Sequence, residues 1–282
     1  MPRRWKRPAF NRLRERTESD GPGLLFILVA LVAVAVAGAR LLGFAPGLGA
    51  EMVQTRVGTR LETSGAQPGP GTGPADQQPV QERSPVATVL VYHAHATENY
   101  SPSATHAQGG RAGHVVDVGR TFAAWLDDHG VEVIHDTGVY DHPSWAGAFA
   151  NAAQAVSTLL QRQPDVSAVF DIHRDAIEGE VGKDFTTVQI GGRPVARILL
   201  VVGDQNNPYA RENAEFAELV KSRMDALYPG LSRGIRIQRA DYNGRLHPNA
   251  LQVFIGDYRY NTMEEADEAA RLFAHVVADL FR

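Results

Sequence analysis

The sequence predicts an α/β domain over residues 86–282, a mostly parallel twisted sheet flanked by helices, preceded by one transmembrane helix. The domain reading rests first on short apolar runs that alternate with amphipathic stretches, the order that builds βαβ units. It rests next on the run at 89–92, apolar throughout as strands buried on both faces are, and on the largely apolar run at 166–170. Each of these breaks off into histidines and carboxylates. In open α/β sheets ligands gather beyond the carboxyl ends of the strands, so chemistry is expected at those two places.

The elements follow in order. After the strand at 89–92 comes a polar, glycine-containing loop, 101–113, suited to be the rim of a site. Apolar residues then recur at three and four from Val115 to Leu126, the mark of an amphipathic helix, which Gly130 stops. Residues 131–134 read as a strand, 145–160 as an alanine-rich helix and 166–170 as the next strand. The runs 186–190 and 195–202 bracket Gly191 and Gly192, a hairpin of the glycine-turn type. A long helix over 209–228 closes at Pro229-Gly230, and short strands follow at 235–237 and 251–255. Thr262, with Glu265 three residues on, starts the last helix with a capping box.

Ahead of the domain the composition changes twice. Arg3, Arg4, Lys6, Arg7, Arg12, Arg14 and Arg16 crowd the start, and 23–39 then carries no charge, with Leu41, Leu42 and Phe44 extending the run past Arg40. About 20 apolar residues cross the hydrocarbon core, and Arg40 can snorkel to the interface. Basic residues on the N-terminal side put that end in the cytoplasm. The expected division is therefore a cytoplasmic basic tail (1–22), a transmembrane anchor (23–44), a flexible Pro/Gly-rich linker (45–85) and an extracytoplasmic domain (86–282), held at the cell membrane by a single pass. A cleaved signal peptide shares the basic start, but its apolar core runs to only about 7–15 residues, and Ala37-Gly-Ala39 is a weak cleavage site. The linker is too poor in apolar residues to pack, so its role is reach. A net charge of −4 gives no sign of a nucleic-acid partner, and without cysteine the domain stands on its core and a metal rather than on disulfides.

His93, His95 and Glu98 follow the first strand, and Asp171, His173, Arg174 and Asp175 follow the strand at 166–170. Two such ends side by side would supply imidazoles and a carboxylate, the usual set for a catalytic zinc that keeps one position for water. Strand-end histidines held by hydrogen bonds are an equal alternative, because neither segment is a tight signature such as His-Glu-x-x-His.

Five segments carry a family resemblance: Tyr92-His-Ala-His-Ala-Thr-Glu-Asn-Tyr100, Phe170-Asp-Ile-His-Arg-Asp175, Val201-Val-Gly-Asp-Gln-Asn-Asn-Pro208, Tyr228-Pro-Gly-Leu-Ser-Arg-Gly234 and Asn261-Thr-Met-Glu-Glu265. In this order they resemble the stage II sporulation protein P family of membrane-anchored peptidoglycan hydrolases. The resemblance implies a zinc N-acetylmuramoyl-L-alanine amidase fold that cleaves the amide between muramic acid and the stem peptide, and peptide cross-links as well. It also implies sporulation membrane proteins and a glycan-cleaving enzyme as partners in engulfment.

Carried onto this chain, the resemblance makes His93, Glu98 and His173 the zinc ligands, with His95 competing for the place of His93. Asp171 or Asp175 would orient His173, while Arg174, facing a peptide carboxylate, and Asn207 would meet substrate. The chain departs from the family pattern on the last strand, where Phe254 occupies the position of the glutamate that is the natural general base. Either Glu98 or Asp257 then handles the proton, or turnover is weak or absent and the chain is a peptidoglycan-binding scaffold. Asp257, beside Gly256, also reads as a plain turn residue. A metal-free carbohydrate esterase or other hydrolase is the weaker choice, since there is no Gly-x-Ser-x-Gly elbow.

Overall fold

The computed structural model describes residues 85–282, so the basic tail, the anchor and nearly all of the linker lie outside the described residues. No helix among the described residues is long and apolar enough to cross a membrane. The elements are β1 (Ala87–Tyr92), α1 (His114–Asp128), β2 (Val131–His135), α2 (Ala148–Arg162), β3 (Val166–Asp175), β4 (Thr187–Ile190), β5 (Arg193–Ala196), β6 (Ile198–Gly203), α3 (Ala210–Leu227), β7 (Ser232–Gln238), β8 (Ala250–Asp257) and α4 (Met263–Leu280).

Six strands form one sheet in the order β2-β1-β3-β8-β6-β7, and β4 and β5 form a separate hairpin. All neighbours in the large sheet are parallel except β6 and β8. The expected α/β class and mostly parallel sheet are thus what the chain adopts. Helices cover both faces, and strand alternation decides which side chains meet which layer. Val89 and Val91 of β1, with Ala168, Phe170 and Ile172 of β3, pack under α1, α3 and α4, where Phe122 and Phe273 stack at 5.2 Å. Leu90, Tyr92 and Val169 turn the other way, to Ala152, Val156 and Leu159 of α2. Fully burying each large apolar side chain in these layers contributes about 1.5–3 kcal/mol.

Two elements differ from expectation. The strand expected to end at Phe170 continues to Asp175, because pairing with β8 persists through Asp171↔Gln252 and His173↔Phe254. The run expected as one strand over 195–202 is cut at Arg197, whose N–H donates to Thr186 O (2.7 Å) and whose carbonyl accepts from Gly256 N–H (3.0 Å), leaving β5 in the hairpin and β6 in the sheet. The hairpin turns at Gly191 and Gly192 as expected, both with positive φ. The capping box of α4 also forms, with Thr262 and Glu265 satisfying each other's backbone N–H.

β1, β3 and β8 run in one direction, so the segments that follow or finish them come together at one end of the sheet. β6 runs the other way. Its carboxyl end therefore lies at the opposite end.

Candidate metal centre

His95, Glu98 and His173 are all buried and each offers a ligand atom, the atoms lying within 4.8 Å of one another. Alternation along β3 puts Asp171 and His173 on the α2 side of the sheet. After β1 the chain turns through 94–97, which carries His95 and Glu98 to the same side. His173 is gripped from both ends: Nε2 lies 2.9 Å from Asp171 Oδ1 and Nδ1 lies 3.3 Å from Glu98 Oε2. Asp171 is itself held, its Oδ1 accepting from Ala94 N–H (2.9 Å). Glu98 Oε2 accepts from Arg174 N–H (3.2 Å), and its Oε1 pairs with Arg174 Nη1 at 3.0 Å.

The protonation pattern follows from these contacts. His95 is pushed down to about 4, by burial first and by the charge of His173 second, so its lone pair is free for a metal. Burial also opposes charge on His173, but Asp171 and Glu98 outweigh it and hold its pKa up at about 10. Glu98 is lowered: burial works against its charge, and the hydrogen bond and charge of His173, then Arg174, overcome that. Three donors of this kind fit a divalent metal. The Asp171–His173 pair is the carboxylate–imidazole arrangement that fixes a ligand ring and raises its basicity, leaving Nδ1 turned toward Glu98. Metal binding at His173 would displace a proton.

The other expected site residues are placed as follows. His93 continues the alternation of β1 onto the opposite face and is absent from the donor group. Its Nδ1–H donates to Ile172 O (3.0 Å), so its Nε2 accepts from His135 Nε2–H (2.9 Å). Gly119 of α1 lies over this pair so closely that a Cβ there would come within 2.5 Å of the His93 ring. Asp175, past a break in register, leaves His173 and pairs with Arg233. Arg174 is buried, committed to Glu98 and to Thr105 O at 3.3 Å. Asn207 stands at the far end of the sheet, where its amide donates to Gly203 O (2.7 Å) and its carbonyl accepts from Tyr209 N–H (2.9 Å). Asp257 caps a turn, with Oδ2 accepting from Ile177 N–H (2.7 Å) and Oδ1 from Arg259 N–H (2.8 Å). Phe254 does stand at the donor group, its ring 5.3 Å from that of His173 and nearly perpendicular to it.

Three residues at the site were not singled out from sequence. Gln252, two positions before Phe254 and so on the same face of β8, has Nε2 3.3 Å from Asp171 Oδ2. Trp145 stacks on His95 with ring centroids 3.8 Å apart, and Phe149 meets the same imidazole edge-on at 5.0 Å. The period-two pattern of β8 was the signal available for Gln252; the contacts of Trp145 and Phe149 cross from a different segment and leave no mark in the spacing.

A mostly parallel α/β sheet carries, where its strands end, a buried His–Glu–His group that could hold a metal ion. The sequence model of stage II sporulation protein P (SpoIIP) matches residues 55–278, and the chain belongs to that family. No curated protein matches it by sequence. Similar solved structures include the N-acetylmuramoyl-L-alanine amidase AmiC2 of Nostoc punctiforme, at 14% identity and TM-score 0.39, with 70% of this chain and 96% of that chain covered. Others are the CwlD amidase of Clostridioides difficile in complex with the GerS lipoprotein (11%, 0.44, 68% and 94%) and the N-acetylmuramyl-L-alanine amidase Ami1 of Mycobacterium smegmatis (15%, 0.42, 71% and 99%). These likenesses are distant.

Proposed function

We propose that the protein is a zinc-dependent peptidoglycan amidase that cleaves between N-acetylmuramic acid and the stem peptide. The observation that carries this reading is the buried donor group His95, Glu98 and His173 with Asp171 behind His173, in a member of this family. Zinc bound there would polarise the scissile carbonyl and lower the pKa of a bound water towards ~7. The chain's own residues hold the geometry. Asp171 fixes the His173 ring, and His173 with Arg174 keeps Glu98 ionised and in place. Phe254 cannot accept a proton, so the water loses the assistance that a carboxylate beside His173 would give.

Turnover is therefore slow. The purified protein, loaded with zinc, is expected to release stem peptide from defined muropeptides at a low rate that a chelator removes. Release that persists without metal overturns the reading. Phe254 also favours a second reading, a scaffold that binds peptidoglycan without cutting it, and binding of muropeptides with no release over long incubation selects it. A role in sporulation, beside membrane proteins and a glycan-cleaving enzyme, goes with the family.

The same proposal sets the domain outside the cytoplasm, anchored by the apolar run at 23–44. Protease added to intact cells stripped of their wall is expected to digest the domain and leave a small membrane-bound fragment. Protection of the domain, or a mature chain starting near residue 40, overturns the single-pass anchor.

A further inference from the structure

We propose that Trp145 is the platform on which the protein seats an N-acetylated sugar ring of its substrate, directly beside the donor group; this deepens the amidase reading and rests on it. Trp145 is 46% exposed although it is the largest side-chain type. It is also tightly placed, in a 3₁₀ turn, Trp145–Gly147, immediately ahead of α2. One face of the indole lies on the His95 imidazole at 3.8 Å with the planes 14° apart, and the ring of His106 meets it edge-on at 4.8 Å. Phe149, four residues on, touches His95 at 5.0 Å and Tyr242 at 5.3 Å. The α2 side of the donor group is thus an aromatic wall with an open tryptophan at its rim.

Charge and connectivity select the occupant. The wall is built of Trp145, His95, His106 and Phe149, with no lysine or arginine among its packed rings. Arg174, the cation next to His106, is committed to Glu98. A stem peptide brings carboxylates and needs cations, which this wall does not offer. A pyranose brings a face of C–H groups with partial positive charge, which packs on the negative face of an aromatic ring. In a muramyl amide the sugar is joined through its lactyl ether to the acyl carbon that is attacked. A group resting on Trp145 is one side-chain contact from the ligand His95, which is where the sugar must lie.

The test uses the full-length, zinc-loaded protein with two probes: the peptide-free disaccharide N-acetylglucosaminyl-N-acetylmuramic acid, followed by calorimetry, and D-lactoyl-L-alanyl-D-isoglutamine, which has the scissile amide but no sugar. Trp145→Ala is expected to weaken disaccharide binding about tenfold, the scale of one aromatic contact, and Trp145→Tyr to restore most of it. Zinc content should equal wild type in both, and the loss of rate should be larger for the muramyl amide than for the sugar-free one. Disaccharide binding that is absent in wild type, or equal in wild type and Trp145→Ala, overturns the proposal. So does loss of zinc in both variants, which would make the indole a support for His95 alone. Disaccharide binding that depends on Trp145 in a protein that cuts neither substrate upholds the sugar platform while removing the amidase reading.

Discussion

His173→Ala is expected to leave the purified protein with little bound zinc and no measurable release of stem peptide. His173 is one of three donor residues whose atoms lie within 4.8 Å, and its loss leaves two protein ligands where a catalytic zinc takes three. His95→Ala should do the same. His93→Ala should not: its ring is on the opposite face, bonded to Ile172 O and His135, so that variant keeps its metal and loses stability instead. Removing a buried, hydrogen-bonded side chain here strands its partners, at about 1–3 kcal/mol for each group left unsatisfied. Asp171→Asn should lie between these extremes, with metal affinity down by about 10–100-fold, the usual effect of removing the partner of a ligating histidine. Metal analysis after extensive desalting, with a thermal melt of each variant, reads all four. Equal zinc in wild type, His95→Ala and His173→Ala would sink the donor assignment.

Phe254→Glu is expected to raise peptide release by about 10²–10⁴, the range that general-base assistance contributes. Phe254 is opposite His173 in the β3–β8 register and shares its face of the sheet, so a carboxylate there would stand beside the donor group. Partial burial would push that carboxyl pKa upward. The active, ionised form then fills in as pH rises through the raised pKa, so the gain should be sought at neutral pH and above and should shrink on acidification. A folded, zinc-loaded Phe254→Glu protein with an unchanged rate would end this account of the slow turnover. Asp257→Asn is the companion measurement. Both Asp257 oxygens accept backbone N–H groups at 2.7 and 2.8 Å, so the change should lower the melting temperature and spare the rate. If it abolishes turnover, Asp257 is the base.

The amino-acid pattern made the layer architecture legible because burial writes itself into spacing: the apolar stretches that open β1 and β3, the three-and-four repeat of α1 and the capping box of α4 are local and period-bound. Glu98, His173 and Asp171 were legible for a related reason, as polar residues where apolar strands give way. The choice between His93 and His95 was not. Two residues apart, they would share a face if β1 continued, but the chain leaves the strand after Tyr92 and the turn at 94–97 separates them. Asn207, which the family resemblance implies as a substrate contact, lies away from the donor group. Its segment follows an apolar strand as the others do, yet β6 is antiparallel to β8, and strand polarity is a pairing property that no single run reveals. Asp175 looks equivalent to Asp171 in the sequence; the shift in register between His173 and Asp175 sends it to Arg233 instead of the imidazole.

The direction of β1 has a mechanical consequence. The described chain enters the sheet at Ala87 and reaches the donor group only after Tyr92, so anything fastened upstream pulls on the pole of the domain opposite its reactive end. At about 3.3 Å per residue, the six residues of β1 set these two poles about 20 Å apart. A load applied at Ala87 along the strand falls on β1, which is paired on both sides, to β2 and β3, and is therefore resisted by two ladders in shear. A domain leashed by that end to a surface would point its reactive pole away from it, toward the material beyond.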